Sequence, residues 1–191
     1  GTSAEQRRDL IAAAAMRPTR PEEARPGTPP AAEQPGTFPV PTATTEGPAG
    51  VPSGFPHTAA GAVGQLAAIQ VTAIRRMSID TTADIHRAWV APGGPTLAEW
   101  RLTGAVRSFL AGAGMGPVKD RGTLLTVVPV GAQVKGTDGP DWVVACVLFD
   151  VTAVVVRDSR VAYGVCERME WTDGRWRVAP GTQPAPAPCT W

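Results

Sequence analysis

Met169-Glu-Trp-Thr-Asp-Gly-Arg-Trp-Arg-Val178 constrains the fold of this chain more than any other stretch. Asp173-Gly174 lies between two β-prone runs. A type I′ turn there needs φ > 0 at both central residues, which Asp tolerates and Gly adopts freely. Placing the turn at this dipeptide sets the register. Thr172 faces Arg175, Trp171 faces Trp176, Glu170 faces Arg177 and Met169 faces Val178. The two indoles then fall at a non-hydrogen-bonded site, where side chains sit closest. One face of the hairpin is apolar (Met169, Trp171, Trp176, Val178), and the other carries the Glu170/Arg177 pair. This pattern ends a curved antiparallel sheet that packs on another layer. It specifies a fold and no reaction.

Composition divides the 191 residues unevenly. Residues 1–50 hold nine of the twenty prolines, whereas all six tryptophans lie beyond residue 88. Four segments follow: a short helix over 1–17, a Pro-rich linker over 18–53, a folded domain over 54–180 and a Pro-rich tail over 181–191. Ser3 and Gln6 form a capping box for the first helix, and Leu10, Ile11, Ala14 and Ala15 give it a small apolar face. That helix is marginal alone in water. It reads as a frayed or partner-borrowing helix, the end of an anchor helix, or an oligomer contact. The linker cannot bury enough apolar area to offset its ordering entropy. Extended as polyproline II, it would reach up to ~100 Å.

The domain opens with three helices. Thr58 caps the first, which runs to about Arg76 with Ala62, Leu66, Ile69, Ala73 and Met77 on one stripe. Its Gly61 and Gly64 would permit close approach to a sheet. Asp80 or Thr81 caps the second, which ends near Trp89–Ala91. Thr96, with Glu99 completing a capping box, starts the third, whose line runs through Leu97, Trp100, Gly104, Arg107/Ser108 and Ala111. Four strands follow, at 122–134, 142–156, 160–172 and 175–179. Pro129 puts the first at an edge or a bulge, and the apolar run from Trp142 makes the second central. Helices followed by a strand meander define an α+β fold, with three N-terminal helices packed on a curved four-stranded antiparallel sheet.

Charge excludes one class of function. Residues 1–50 carry five Arg against six acids, the whole chain is +1, and no basic stripe interleaves with aromatics. Direct nucleic-acid binding has no support. No run of ~18 apolar residues exists to span a bilayer. Gly1-Thr2-Ser3 has the look of a cloning remnant, so the chain is expected to be an excised soluble part of a longer protein.

The chemistry-bearing residues are few. Gly112-Ala-Gly-Met-Gly116 follows a helix, which makes it a helix stop and not a phosphate loop. His57 and His86 lack the spacing for a metal site. A β-hairpin centred on Asp158-Ser159 would set Asp150 opposite Glu167, and two adjacent carboxylates can raise one pKa into the range of a general acid. Tyr163 is read as a space filler between strands. Cys146, Cys166 and Cys189 are either free thiols or one disulfide of an oxidising compartment, with Cys189 the natural partner for stapling the tail to a strand. No residue is nominated as catalytic, cofactor-binding or metal-ligating, and no cofactor is implied.

Three helices before a curved four-stranded meander resemble the nuclear-transport-factor-two-like superfamily. Two stretches sharpen this. Val51-Pro-Ser-Gly-Phe-Pro-His-Thr-Ala-Ala-Gly-Ala-Val63, and the hairpin with its Pro-Ala-Pro-Ala-Pro-Cys-Thr-Trp191 tail, look like a family of actinobacterial membrane-anchored proteins of conjugative elements. These include TcpC-like proteins and type IV secretion inner-membrane assembly factors. The resemblance implies a non-enzymatic scaffold on the extracytoplasmic side of the cytoplasmic membrane. Such a scaffold would engage other transfer-apparatus proteins or copies of itself, and would touch the membrane only through an upstream anchor. Trp89, Trp100, Trp171 and Trp176 would mainly build its core. A small-ligand-binding or enzymatic domain using the cone of the same fold is the alternative. A cone filled by Trp, Leu and Val would speak against it.

Overall fold

Turn chemistry sets the sheet. In the computed structural model, which describes residues 1–16, 39–154, 158–185 and 187, Asp173 and Gly174 adopt φ 53° and 75°. Strands β5 (Asp158–Thr172) and β6 (Arg175–Val178) pair in the register that this turn dictates, with Trp171 opposite Trp176 and Met169 opposite Val178. With β3 (Leu124–Thr137) and β4 (Trp142–Val154) they form one antiparallel sheet in the order β3-β4-β5-β6. The fold is α+β, with four α-helices among the described residues.

Pro129 marks both an edge and a bulge. β3 is the edge strand, and its register slips between Pro129 and Gly131 and again between Val134 and Gly136. A proline offers no N–H to a ladder, so its strand must expose or break pairing there. The β4–β5 register differs from the expected one. Val154 lies opposite Asp158, and residues 155–157 between them lie outside the described residues. Asp158 and Ser159 belong to the strand and not to the turn.

Three helices, α2 (Ala59–Arg76), α3 (Ile79–Trp89) and α4 (Arg101–Gly112), cover the inner face of the sheet. Thr58 caps α2 by accepting from Gly61 N at 3.0 Å, and the Ala62–Leu66–Ile69–Ala73–Met77 stripe is buried. Gly64 has a different neighbour from the expected sheet: a Cβ there would meet the Phe55 ring at 2.6 Å. The loop before α2, not a strand, takes the space that glycine leaves. Met77 ends α2 in the left-handed region, φ 42°, and the chain turns at once into α3. The cap of α3 is therefore Ser78, whose hydroxyl accepts from Thr81 N, rather than Asp80 or Thr81. Thr96 and Glu99 make their reciprocal bonds, but these close a separate turn. Trp100, at ψ 125°, is the N-cap of α4. That one-turn offset moves the buried face of α4 to Leu102, Thr103, Val106 and Leu110.

The folded structure also begins earlier than composition implied. Within the 18–53 stretch read as linker, β1 (Thr45–Glu46) and β2 (Pro52–Ser53) pair around a 3₁₀ turn at Pro48–Gly50. Val51 is fully buried. Trp89 Nε1 donates to Pro48 O at 3.0 Å, and Gln65 Nε2 donates to Pro52 O at 3.0 Å. Buried side-chain donors thus satisfy a Pro-rich backbone, which propensity alone would leave in solvent.

The first helix, α1 (Ala4–Ala13), carries the expected Ser3/Gln6 capping box and lies on the opposite, outer face of the sheet. Ile11, Ala12 and Met16 pack with Trp142, Val144, Cys146 and Cys166. Arg8 stands over the Trp142 ring at 5.3 Å, and Asp9 pairs with Arg168 at 2.7 Å. Arg7 and Arg8 both bond Asp138, at 3.1 and 2.8 Å. The described part of the tail crosses the same face: Ala185 N donates to Ala12 O at 3.1 Å. No helix among the described residues is long and apolar enough to cross a membrane.

Candidate functional site

Alternation along β5 sends Tyr163, Val165, Glu167, Met169 and Trp171 to the inner face. Four of these are apolar or amphipathic residues suited to a core. The fifth, Glu167, is only 2% exposed. Its Oε1 accepts from Nε1 of Trp100, the N-cap residue of α4, at 3.0 Å. Burial pushes the Glu167 carboxyl up to about 7, against the lowering effects of the Trp100 bond and the Arg101 charge. Desolvation disfavours the charged form, and one donor does not offset it.

Tyr163, two repeats of the pleat away, donates to Gln70 Oε1 of α2 at 3.1 Å and stacks near Phe149 at 6.0 Å. Burial, and then the nearby Glu167, raises its phenol above the ordinary value. It bridges strand to helix in addition to filling space between strands. Gln70 Nε2 and Thr103 Oγ1 are buried without a partner among the described residues. The Glu167–Trp100 and Tyr163–Gln70 bonds thus form a polar seam between the sheet and helices α4 and α2. Leu66, Ile69, Leu102, Val106, Phe149 and Met169, each fully buried, fill the rest of that layer. A protonated Glu167 could donate one hydrogen bond; an ionised one would stand nearly alone in a dry core.

Asp150 and Glu167 are not a pair. Asp150 lies opposite Ala162 and Glu167 opposite Ala145, so the two carboxylates point to opposite faces of the sheet. Asp150 instead accepts from Arg160 Nε at 2.8 and 3.0 Å, and these bonds hold its carboxyl below the usual range. The two histidines serve the framework. His57 stacks on Trp171, with centroids 4.4 Å apart and planes 8° apart, and its Nε2 lies 2.6 Å from Asp141. His86 Nε2 bonds Pro95 O at 2.7 Å and meets the edge of Trp100. Gly112 closes α4, as a helix stop should. Among the described residues, no cluster of three or more His, Cys, Asp or Glu could hold a metal. A surface hollow of about 380 Å³ near the end of α4 is lined by Ser108, Phe109, Gly112, Ala113, Ala153 and Ser159, with no ionisable group.

Cys146 and Cys166 form a disulfide across β4 and β5, with Cα atoms 4.1 Å apart. Cys189, the expected partner for stapling the tail, lies outside the described residues. The bond sits on the outer face beneath Met16 and Ala187. Of the tryptophans, Trp89, Trp100 and Trp176 are buried in the inner layer as expected. Trp171 is half-buried under His57, and Trp142 anchors the outer face.

The sequence signal for the Glu167 seam was present. Extending the apolar Met169/Trp171 face backwards by steps of two reaches Glu167, a carboxylate on a core face. Nothing in the sequence marks Trp100 as its donor.

Set beside known proteins, the chain matches no family model, no curated protein and no solved structure.

Proposed function

We propose that this chain is an extracytoplasmic, non-enzymatic scaffold domain of a conjugation or type IV secretion apparatus, built on a nuclear-transport-factor-two-like cone. The observation that carries the scaffold reading is how the two faces of the sheet are used. The inner face is consumed by packing against three helices, and its interior is filled by Trp, Leu, Ile, Val and Phe side chains. The outer face keeps Leu124, Val128 and Val154 between 40% and 67% exposed, toward the end of the sheet away from the Trp142–Cys146 area that α1 covers. Exposed apolar side chains grouped on one face of a sheet suit protein contact. The Cys146–Cys166 bond suits an oxidising compartment, where such bonds persist.

The test is site-specific crosslinking in mating cells, with a photoreactive residue at Val128 or Val154. Capture of a transfer-apparatus protein is expected; a probe that reacts only with solvent in mating cells would contradict the role. Thiol titration of protein recovered from its native compartment checks the location. Cys146 and Cys166 should be unreactive until reduced.

A second reading has one specific observation behind it. The Glu167 seam holds a carboxyl that titrates near neutrality and, further along the same face of β5, a phenol bonded to Gln70, whose amide nitrogen is buried without a partner among the described residues. Perturbed groups of this kind recur at ligand and catalytic sites. In that reading the seam binds a small hydrogen-bonding ligand. Chemical-shift changes at Trp100 and Glu167 on adding a metabolite library, abolished by Glu167→Gln, would favour it over the scaffold.

A further inference from the structure

The two long edges of the sheet are built differently. β3 is blunted by Pro129, two register slips and Lys135, devices that discourage another strand from pairing. The far edge is not. β6 pairs only with Met169–Thr172, so β5 is uncovered on that side from Ser159 to Gly164. Among the described residues no backbone hydrogen bond reaches this side of the stretch.

Parity fixes which groups are free. Arg168 O accepts from Ala179 N at 2.8 Å, so Arg168 turns its backbone away from β4. Cys166, in a close cross-strand pair with Cys146 at 4.1 Å, does the same. Stepping back by twos, Arg160, Ala162 and Gly164 each present an N–H and a C=O to the open edge. The stretch Ser-Arg-Val-Ala-Tyr-Gly holds no proline and no lysine, and Val161 is 59% exposed.

We infer that this edge joins β5 of a second copy of the same chain, antiparallel about a twofold axis at Ala162, making one eight-stranded sheet. The argument for a second copy is self-complementarity, which an isologous contact requires. Ala162 meets its own equivalent and exchanges both backbone bonds with it. On the inner side Val161 falls opposite the partner's Tyr163, a β-branched residue against an aromatic, and the contact occurs twice. On the outer side Arg160 falls opposite the partner's Gly164, which leaves room for the guanidinium. Arg160 is the one charged residue in the stretch and already pairs with Asp150 of its own sheet. No like charges are brought together. A foreign strand would instead seek side-chain pockets along the edge, and the outer-face positions here are Ala162 and Gly164. The join deepens the self-association arm of the scaffold reading and needs no particular apparatus.

The test is sedimentation of the full chain from about 10 μM to about 1 mM. Six residues of edge make a small interface, so a dissociation constant on the order of 100 μM is expected. Ala162→Pro, which removes an N–H that is free in the monomer, and Val161→Lys should each stay monomeric with an unchanged near-ultraviolet circular dichroism spectrum. In the unaltered protein, amide exchange at Arg160, Ala162 and Gly164 should slow about fivefold or more across the same range, and exchange at Leu125 and Val127 should not change. A protein monomeric throughout, with those three amides indifferent to concentration, overturns the inference. So does a dimer that both variants preserve. A monomer that still crosslinks to transfer proteins through Val128 would sink this inference and leave the scaffold role standing.

Discussion

The two faces of the sheet solve different problems with the same strands. Inward, β3, β4 and β5 present Leu125, Val127, Val147, Phe149 and Met169 to three helices, and nearly every side chain there is closed to water. Outward, the same strands carry a disulfide, a Trp142 flanked by Arg8 and Arg168, and a ten-residue helix held largely by ion pairs. The inner face holds by volume and area, and its one carboxylate is an anomaly. The outer face holds by covalent and charged contacts around a small apolar patch. Even the buried Arg168 of that face is paired, with Asp9 at 2.7 Å. Glu167 inside has no cation paired with it among the described residues, only the Trp100 indole, and becomes a titrating group.

The largest effect should come from the inner face. Trp100→Ala removes a fully buried indole and also the donor to Glu167. A loss of about 3–5 kcal/mol in urea unfolding at neutral pH is expected. A loss under about 1 kcal/mol would mean that the layer is loosely packed, and the contrast between faces would fail. Next comes the covalent tie of the outer face. Reducing Cys146–Cys166, which are separated by 20 residues, should cost about 3 kcal/mol by loop closure, and the reduced protein should still fold on its inner core.

Glu167→Gln tests the anomaly through pH. Folding raises this carboxyl from 4.5 to about 7, so the native state holds a proton that the unfolded chain has released. Stability is full below about pH 4.5 and is lost as pH rises through about 7. At pH 8 the Gln variant should be more stable than the parent by up to about 3 kcal/mol. Below pH 4.5 the two should match, and a thermal-melting series from pH 4 to pH 9 would show the curves diverging. The smallest effect belongs to α1. Deleting residues 1–16 removes few buried side chains, and a drop of about 2–4 °C in Tm is expected. A drop several times larger would make the helix a structural part of the core and not a cover.

How much of this was legible follows from how local each cause is. Asp173-Gly174 sets its hairpin with two residues, so the register of Trp171 and Trp176 could be read directly. The sequence between β4 and β5 has no such signature, and the observed register, Val154 opposite Asp158, differs from one centred on Asp158-Ser159. From that shift came the expected Asp150/Glu167 pair. From it too came the silence over Cys146 and Cys166, which face each other only in the observed register. Pro129 announced its edge and bulge because a missing N–H acts wherever it sits. Capping residues named α2 correctly, whereas Thr96 and Glu99 made their bonds one turn ahead of α4, whose N-cap is Trp100. The docking of Thr45–Ser53 and of α1 rests on contacts far along the chain, through Trp89, Gln65, Trp142 and Arg168. Pro-rich composition cannot report these.

The claim that the inner face is sealed is tested most directly by the side-chain carboxyl carbon of Glu167, followed by nuclear magnetic resonance from pH 3 to pH 9 in ligand-free protein. The expected result is one titration step with a midpoint near 7, accompanied by a shift of the Trp100 indole N–H. A midpoint near 4.5, with the indole unmoved, would show a carboxylate bathed in water. The interior would then be an open pocket and not a core.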